Sequence, residues 1–266
     1  MKKIVHLAMV ITLILSLAVI GGCAKTAEQA AAPSSSQSPP SLAGQTLNLY
    51  VAAGLKKPMD QVIELFQKET GASVVVNYNS SGALWAQINQ GQPCDLYYSA
   101  DWIYIEKAQQ AGKVEKDLKF LNDKIVLAVS ATGASKVSSI NDLVKPGVTY
   151  VIADASAPAG VYAKNALVNL QLWDKTASNL KAMPSTVNQV AIMVKEDQVD
   201  AGLLYSSVAN GNQLKTVEVI DPKFTGEIIF GAAMMKGEKT QLAQAFMDFA
   251  SKNVKSFEQY GWTKYE

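Results

Sequence analysis

Three times along this 266-residue chain an apolar run ends in a short stretch of small or hydroxyl residues and passes straight into a helical pattern. The copies are Leu47-Asn48-Leu49-Tyr50-Val51-Ala52-Ala53-Gly54, then Val74-Val75-Val76-Asn77-Tyr78-Asn79-Ser80-Ser81-Gly82, then Tyr150-Val151-Ile152-Ala153-Asp154-Ala155-Ser156-Ala157-Pro158-Ala159-Gly160. Strands followed at once by helices restrict the chain to α/β architectures. The pattern also carries chemistry. The first turn of a helix has N–H groups without a partner inside the helix and a partial positive charge, so it attracts anions. Three such starts with no bulky side chain in the way point to a protein that holds a small anion mainly with backbone. In open α/β sheets ligands sit beyond the carboxyl ends of the strands, which is where all three turns fall.

Composition narrows the chemistry. All 24 basic residues are lysine, and the single histidine, His6, lies in the leader. The mature chain therefore has neither arginine nor histidine, which removes Ser-His-Asp and Cys-His catalysis and histidine zinc sites. A bidentate arginine clamp on an anion is excluded as well. Carboxylate acid–base chemistry stays open, but no clustered acidic motif supports it, and Asp95, Asp101, Asp154 and Asp200 read as turn or cap residues. A net charge of +1 argues against nucleic acid as a partner.

Lys2 and Lys3 precede an apolar run from Ile4 to Ile20, followed by Gly21-Gly22-Cys23. The run by itself is of borderline length for a membrane span. A basic start, an apolar middle and two small residues before a cysteine resemble a bacterial lipobox, with residues 1–22 as signal peptide and Cys23 as the lipidated N-terminus. Residues 23–44, rich in Ala, Ser, Gln and Pro, read as a flexible tether. With Cys23 lipidated, Cys94 has no disulfide partner and reads as a small buried residue.

Along the body, strands are expected at 47–52, 73–78, 94–99, 124–129, 149–153, 200–205, 217–220 and 227–235. Helices are expected near 55–70, after the Ser80-Ser81-Gly82 turn through Leu84, Trp85 and Ile88 to about Gly91, at 102–111, from Pro158 to Leu172, at 187–195 and at 242–250, with a short one at 139–143. Gly71 is a natural C-terminal stop for the first helix. Lys124–Val129 is nearly all apolar, as in a strand buried on both faces. The alternation predicts mostly parallel sheets. Tyr97 and Tyr98 are expected on opposite strand faces with one buried. Trp85, Trp102, Trp173 and Trp262 read as packing residues.

The ordered set Ala52-Ala53-Gly54-Leu55, Asn79-Ser80-Ser81-Gly82-Ala83-Leu84 with Gln87-Ile88 and Gly91, Asp95-Leu96 with Ser99-Ala100-Asp101, Pro158-Ala159-Gly160-Val161-Tyr162-Ala163-Lys164, Leu172-Trp173-Asp174 and Ala201-Gly202-Leu203-Leu204-Tyr205 resembles the molybdate-binding lipoproteins and periplasmic proteins of ABC importers. The resemblance covers about Leu47 to Gly261. It implies the type II periplasmic-binding-protein fold, two α/β lobes joined by two hinge crossings with the ligand between them. Lobe 1 would be 45–124 plus 224–266, and lobe 2 would be 125–223. It further implies a binding protein rather than an enzyme, with no cofactor and no metal held by side chains. The ligand would be a tetrahedral oxyanion, molybdate or tungstate, the partner an ABC permease, and the protein a monomer lipid-anchored outside the cytoplasm. Carried over position by position, the ligand contacts fall on Gly54, Ser81 with Ser80 beside it, the N–H groups of Ala159 and Val187, and the hydroxyl of Tyr205. Gly54 departs from the family pattern, which has serine there, and this keeps a receptor for another small anion open. A surface enzyme using carboxylates is the alternative from a different class.

Overall fold

The computed structural model describes residues 41–266, which form one compact unit. The expected signal peptide, Cys23 and the tether as far as residue 40 lie outside the described residues. In chain order the strands are β1 (Thr46–Ala52), β2 (Ser73–Asn79), β3 (Leu96–Ser99), β4 (Val114–Asp123), β5 (Ile125–Val129), β6 (Tyr150–Val151), β7 (Leu180–Ala182), β8 (Ala201–Tyr205), β9 (Lys215–Val219), β10 (Ile228–Met235) and β11 (Thr263–Lys264). The helices are α1 (Lys56–Thr70), α2 (Ser81–Asn89), α3 (Trp102–Gln110), α4 (Pro158–Asn169), α5 (Trp173–Thr176), α6 (Val187–Lys195), α7 (Ser206–Gly211), α8 (Pro222–Thr225), α9 (Thr240–Lys252) and α10 (Lys255–Glu258). A single 3-10 turn, Ala53–Leu55, links β1 to α1.

Two sheets result. One has the order β11-β4-β10-β3-β1-β2 and the other the order β7-β6-β8-β5-β9. The chain passes from the first to the second between Asp123 and Ile125, and returns between Val219 and Ile228. The expectation of mostly parallel sheets is corrected, since both sheets are mixed. β1 runs parallel to β2 and β3, and β6 parallel to β7 and β8. β10 is antiparallel to β3 and β4, β11 to β4, and β5 to β8 and β9. Parallel neighbours need a long crossover, whereas β4 reaches β5 through Lys124 alone, so β5 enters its sheet without one. β5 is buried along its whole length, as its apolar run predicts, yet both its partners are antiparallel.

The first sheet is covered on both faces, which explains a second correction. Tyr97 and Tyr98 are both fully buried. Tyr97 packs with Leu84, Ile88 and Ile105 from α2 and α3, and its hydroxyl donates to the Ser81 carbonyl at 2.8 Å. Tyr98 stands on the other side, edge-on to Phe120 and Phe246. Gly71 ends α1 in the left-handed conformation (φ 71°), where a side chain would be strained. Cys94 is half-buried rather than buried, and desolvation pushes its thiol pKa up.

Candidate functional site

The carboxyl ends of β1, β2 and β8 and the starts of α2, α4 and α6 meet at one small cavity between the two sheets. Gly54 borders it from the 3-10 turn after β1. Ser80 and Ser81 border it as N-cap and first residue of α2, Ala159 as the second residue of α4, Val187 as the first of α6, and Tyr205 as the last residue of β8. The five positions singled out in the sequence, with Ser80, thus lie on one surface. Ala52, Ala53, Ala100, Ala157, Pro158 and Thr186 complete the wall. No lysine, aspartate or glutamate is among the lining residues. The cavity volume is about 10 Å³, enough for one water.

The helix starts around this cavity are of two kinds. α2 and α6 carry side-chain caps. Ser80 Oγ accepts from the Ala83 N–H at 3.4 Å, and Thr186 Oγ1 from the Gln189 N–H at 3.4 Å, with Gln189 Oε1 accepting back from the Thr186 N–H at 3.1 Å. The turn after β1 and helix α4 have no side-chain cap, because their N-cap residues are Ala52 and Ala157. Both alanines are buried, so water does not reach them freely. A buried helix start without a cap leaves N–H donors to be satisfied by something else. Pro158 at the first position of α4 is preorganised for the helix and removes one of those donors. Gly160 lets α4 begin hard against the preceding strand, since a Cβ there would meet the Ala153 carbonyl oxygen at 2.1 Å.

Two hydroxyls act on Ala100. Ser81 Oγ accepts from the Ala100 N–H at 3.0 Å, which leaves the Ser81 proton available for donation. The Tyr205 hydroxyl donates to the Ala100 carbonyl at 3.0 Å and is fully engaged as a donor. Burial raises the Tyr205 pKa well above its ordinary value, so the phenol stays neutral. Next to Ala100 in the chain, Asp101 caps α3 by accepting from the Ile103 N–H at 2.9 Å, and burial raises its pKa. Asp154 accepts from the Ser156 N–H at 2.8 Å, and Asp200 ties Thr149 to Lys136. These three are turn, cap and ion-pair residues.

Sequence reasoning missed the groups that clasp the two sheets across the cavity. Ser156 Oγ lies 3.0 Å from Ser80 Oγ, and the Gly82 N–H donates to the Ser156 carbonyl at 3.0 Å. Asn188 Nδ2 donates to the Ala53 carbonyl at 2.7 Å. Ser156 stands inside the third strand-to-helix stretch, so its position was available as a signal. Asn188 follows Val187 by one residue and carried no signal of its own.

Residues 47–263 match the family described as bacterial extracellular solute-binding protein. The chain belongs to that family. A putative ABC transporter substrate-binding lipoprotein, YvgL of Bacillus subtilis, is 30% identical over 227 residues, spanning 82% of this chain and 86% of its own length. The molybdate-binding protein ModA of Escherichia coli is 26% identical over 228 residues, spanning 82% of this chain and 88% of its own. Among solved structures, the substrate-binding domain of a putative molybdenum ABC transporter from Clostridium difficile is 31% identical, with a TM-score of 0.64, covering 83% of this chain and 99% of that one. These relatives are substrate-binding proteins, and the two-sheet α/β architecture is that of periplasmic binding proteins.

Proposed function

We propose that this chain is an extracytoplasmic receptor that captures a tetrahedral oxyanion, molybdate or tungstate, for the permease of an ABC importer. The observation that carries this reading is the pair of buried, uncapped helix starts at Gly54 and Ala159 facing an uncharged cavity. Their uncapped first-turn N–H groups and positive dipole ends suit an anion, and a desolvated site makes each such bond stronger. In this reading the ligand takes N–H groups from Gly54, Ala159 and Val187 and the proton of Ser81, with Ser80 beside it. Tyr205 donates to the anion after exchanging its bond to Ala100.

The cavity has room for one water, so an anion with four oxygens requires the two halves to part and close again. The lobes proposed to do this are 45–124 plus 224–266 and 125–223, turning about the two crossings. The family membership and the relatives named for molybdate support the ligand class. The lipobox-like Gly21-Gly22-Cys23 supports an anchor through Cys23, and replacing Cys23 with alanine is expected to move the protein from the membrane fraction to the soluble one.

Isothermal titration of the mature chain with molybdate, tungstate, sulfate and phosphate tests the central reading. A saturable site for molybdate or tungstate is the expected result, and absence of heat with all four anions overturns it. One observation favours a second reading, another small anion. Gly54 supplies no hydroxyl where the resembling family has serine, and one hydrogen bond to a charged group is worth about 1.5–3 kcal/mol.

A further inference from the structure

Beyond Gly54 lies a second, larger space. Lys56, Lys57 and Asp60 at the start of α1, Asn188 of α6, Asn212 just after α7 and Trp262 border it. The cavity's volume is about 10 Å³ and this groove's about 220 Å³. Gly54 borders both spaces. A Cβ built on it would lie 3.4 Å from Val187 Cγ1, 3.5 Å from Val208 Cγ2 and 3.7 Å from Tyr205 Cδ2. Val187 and Tyr205 wall the cavity and Val208 walls the groove, so a methyl group at position 54 would just fill the junction between them.

The groove carries one unpaired positive charge. Lys56 is paired with Asp60 at 2.8 Å, and Asp60 also accepts from the Tyr78 hydroxyl at 2.5 Å. Lys57 Nζ reaches only the Gly211 carbonyl and Asn212 Oδ1, and forms no ion pair among the described residues. Trp262, also on this wall, is 3% exposed and its buried indole N–H has no partner among the described residues. An N–H or ammonium in such a place gains most from an anionic acceptor.

We propose that the site also accepts an oxyanion bearing a short organic arm that ends in a carboxylate. The tetrahedral head occupies the cavity, the arm passes over Gly54, and the carboxylate meets Lys57 in the groove. This rests on the reading of the cavity as an oxyanion site. The absent side chain at position 54 then has a use: it opens the passage that a serine would close.

The test is calorimetric titration of the mature chain with phosphoglycolate, inorganic phosphate and molybdate, in the wild type and in Gly54→Ser and Lys57→Gln. Phosphoglycolate is expected to bind at least tenfold more tightly than inorganic phosphate. Lys57→Gln is expected to cut that lead about tenfold, the usual loss for one charge-assisted bond. Gly54→Ser is expected to weaken phosphoglycolate and tighten molybdate, so the two ligands move in opposite directions. Molybdate binding with no advantage of phosphoglycolate over phosphate overturns the inference and leaves the oxyanion reading standing. An advantage that survives both substitutions overturns it too. Absence of heat with every anion defeats the oxyanion reading itself.

Discussion

The helix starts at the cavity solve one problem in two ways. At α2 and α6 the chain satisfies its own first-turn donors, through Ser80 and through the reciprocal Thr186–Gln189 pair. At the turn after β1 and at α4 it places alanine where a capping side chain belongs and buries the result. Capping an N-terminus with a hydroxyl or carboxylate is worth about 1 kcal/mol, so leaving two uncapped is a cost to the folded state. In the proposed reading the uncapped starts leave more of their first-turn donors for a ligand, while the capped ones lend it only the Val187 N–H and the Ser81 hydroxyl.

Supplying the missing cap should erase that difference. Ala157→Asp places a carboxylate on the start of α4, where it stabilises the helix and repels an anion from the cavity. The expected outcome is a loss of oxyanion affinity of about 100-fold or more, with the melting temperature without anion held or raised. Unchanged binding would remove α4 from the site. Ser81→Ala takes away one hydroxyl at a capped start and leaves Ser80 in place. Titration is expected to read a loss of about tenfold or more, the worth of one bond to a charged ligand.

Thr186→Ala probes the opposite kind of start. Loss of the α6 cap is expected to lower stability by about 1 kcal/mol in denaturant unfolding and to change anion affinity less than threefold. A larger effect on affinity than on stability would blur the distinction between the two kinds. The smallest expected effect comes from pH. No carboxylate lines the cavity, so molybdate affinity is expected to be flat between pH 6 and 8, as read by titration.

Stability should not be flat. Asp123, buried at the crossing between the sheets and bonded to Ser207 Oγ and the Lys124 N–H, has its pKa pushed up by burial to about 7. The neutral form is favoured in the folded state, so this group's contribution is fully present below about pH 4 and is lost as pH rises through about 7. Asp123→Asn is expected to flatten that part of the stability profile, as followed by thermal unfolding.

Long apolar strands were readable from the chain. β1, β2, β5, β8 and β10 sit within about two residues of their expected bounds, and α4 and α6 start at the expected Pro158 and Val187, whereas α2 already begins at Ser81, inside the expected Ser-Ser-Gly turn. β4 was not readable. Glu115, Lys116, Asp117 and Lys119 break its pattern, and it is held as a strand by pairing with β10, far away in sequence. The short helices α5, α7 and α8 were missed for a related reason, since four to six residues give no helical period.

What the sequence determined by itself was local: strand-to-helix turns of small residues, a lysine-only set of cations, and hence a preference for backbone and hydroxyl donors. Tertiary structure decided that four separated turns and Tyr205 share one cavity, that the Tyr205 hydroxyl donates a hydrogen bond to the Ala100 carbonyl, and that Gly54 stands between a tight cavity and a lysine-bearing groove. Convergence of this kind depends on how the two mixed sheets present their loop ends to one another, through bonds such as Asn188 to Ala53 and Gly82 to Ser156. No short window of residues encodes it, because each turn reads the same whether or not the others are near.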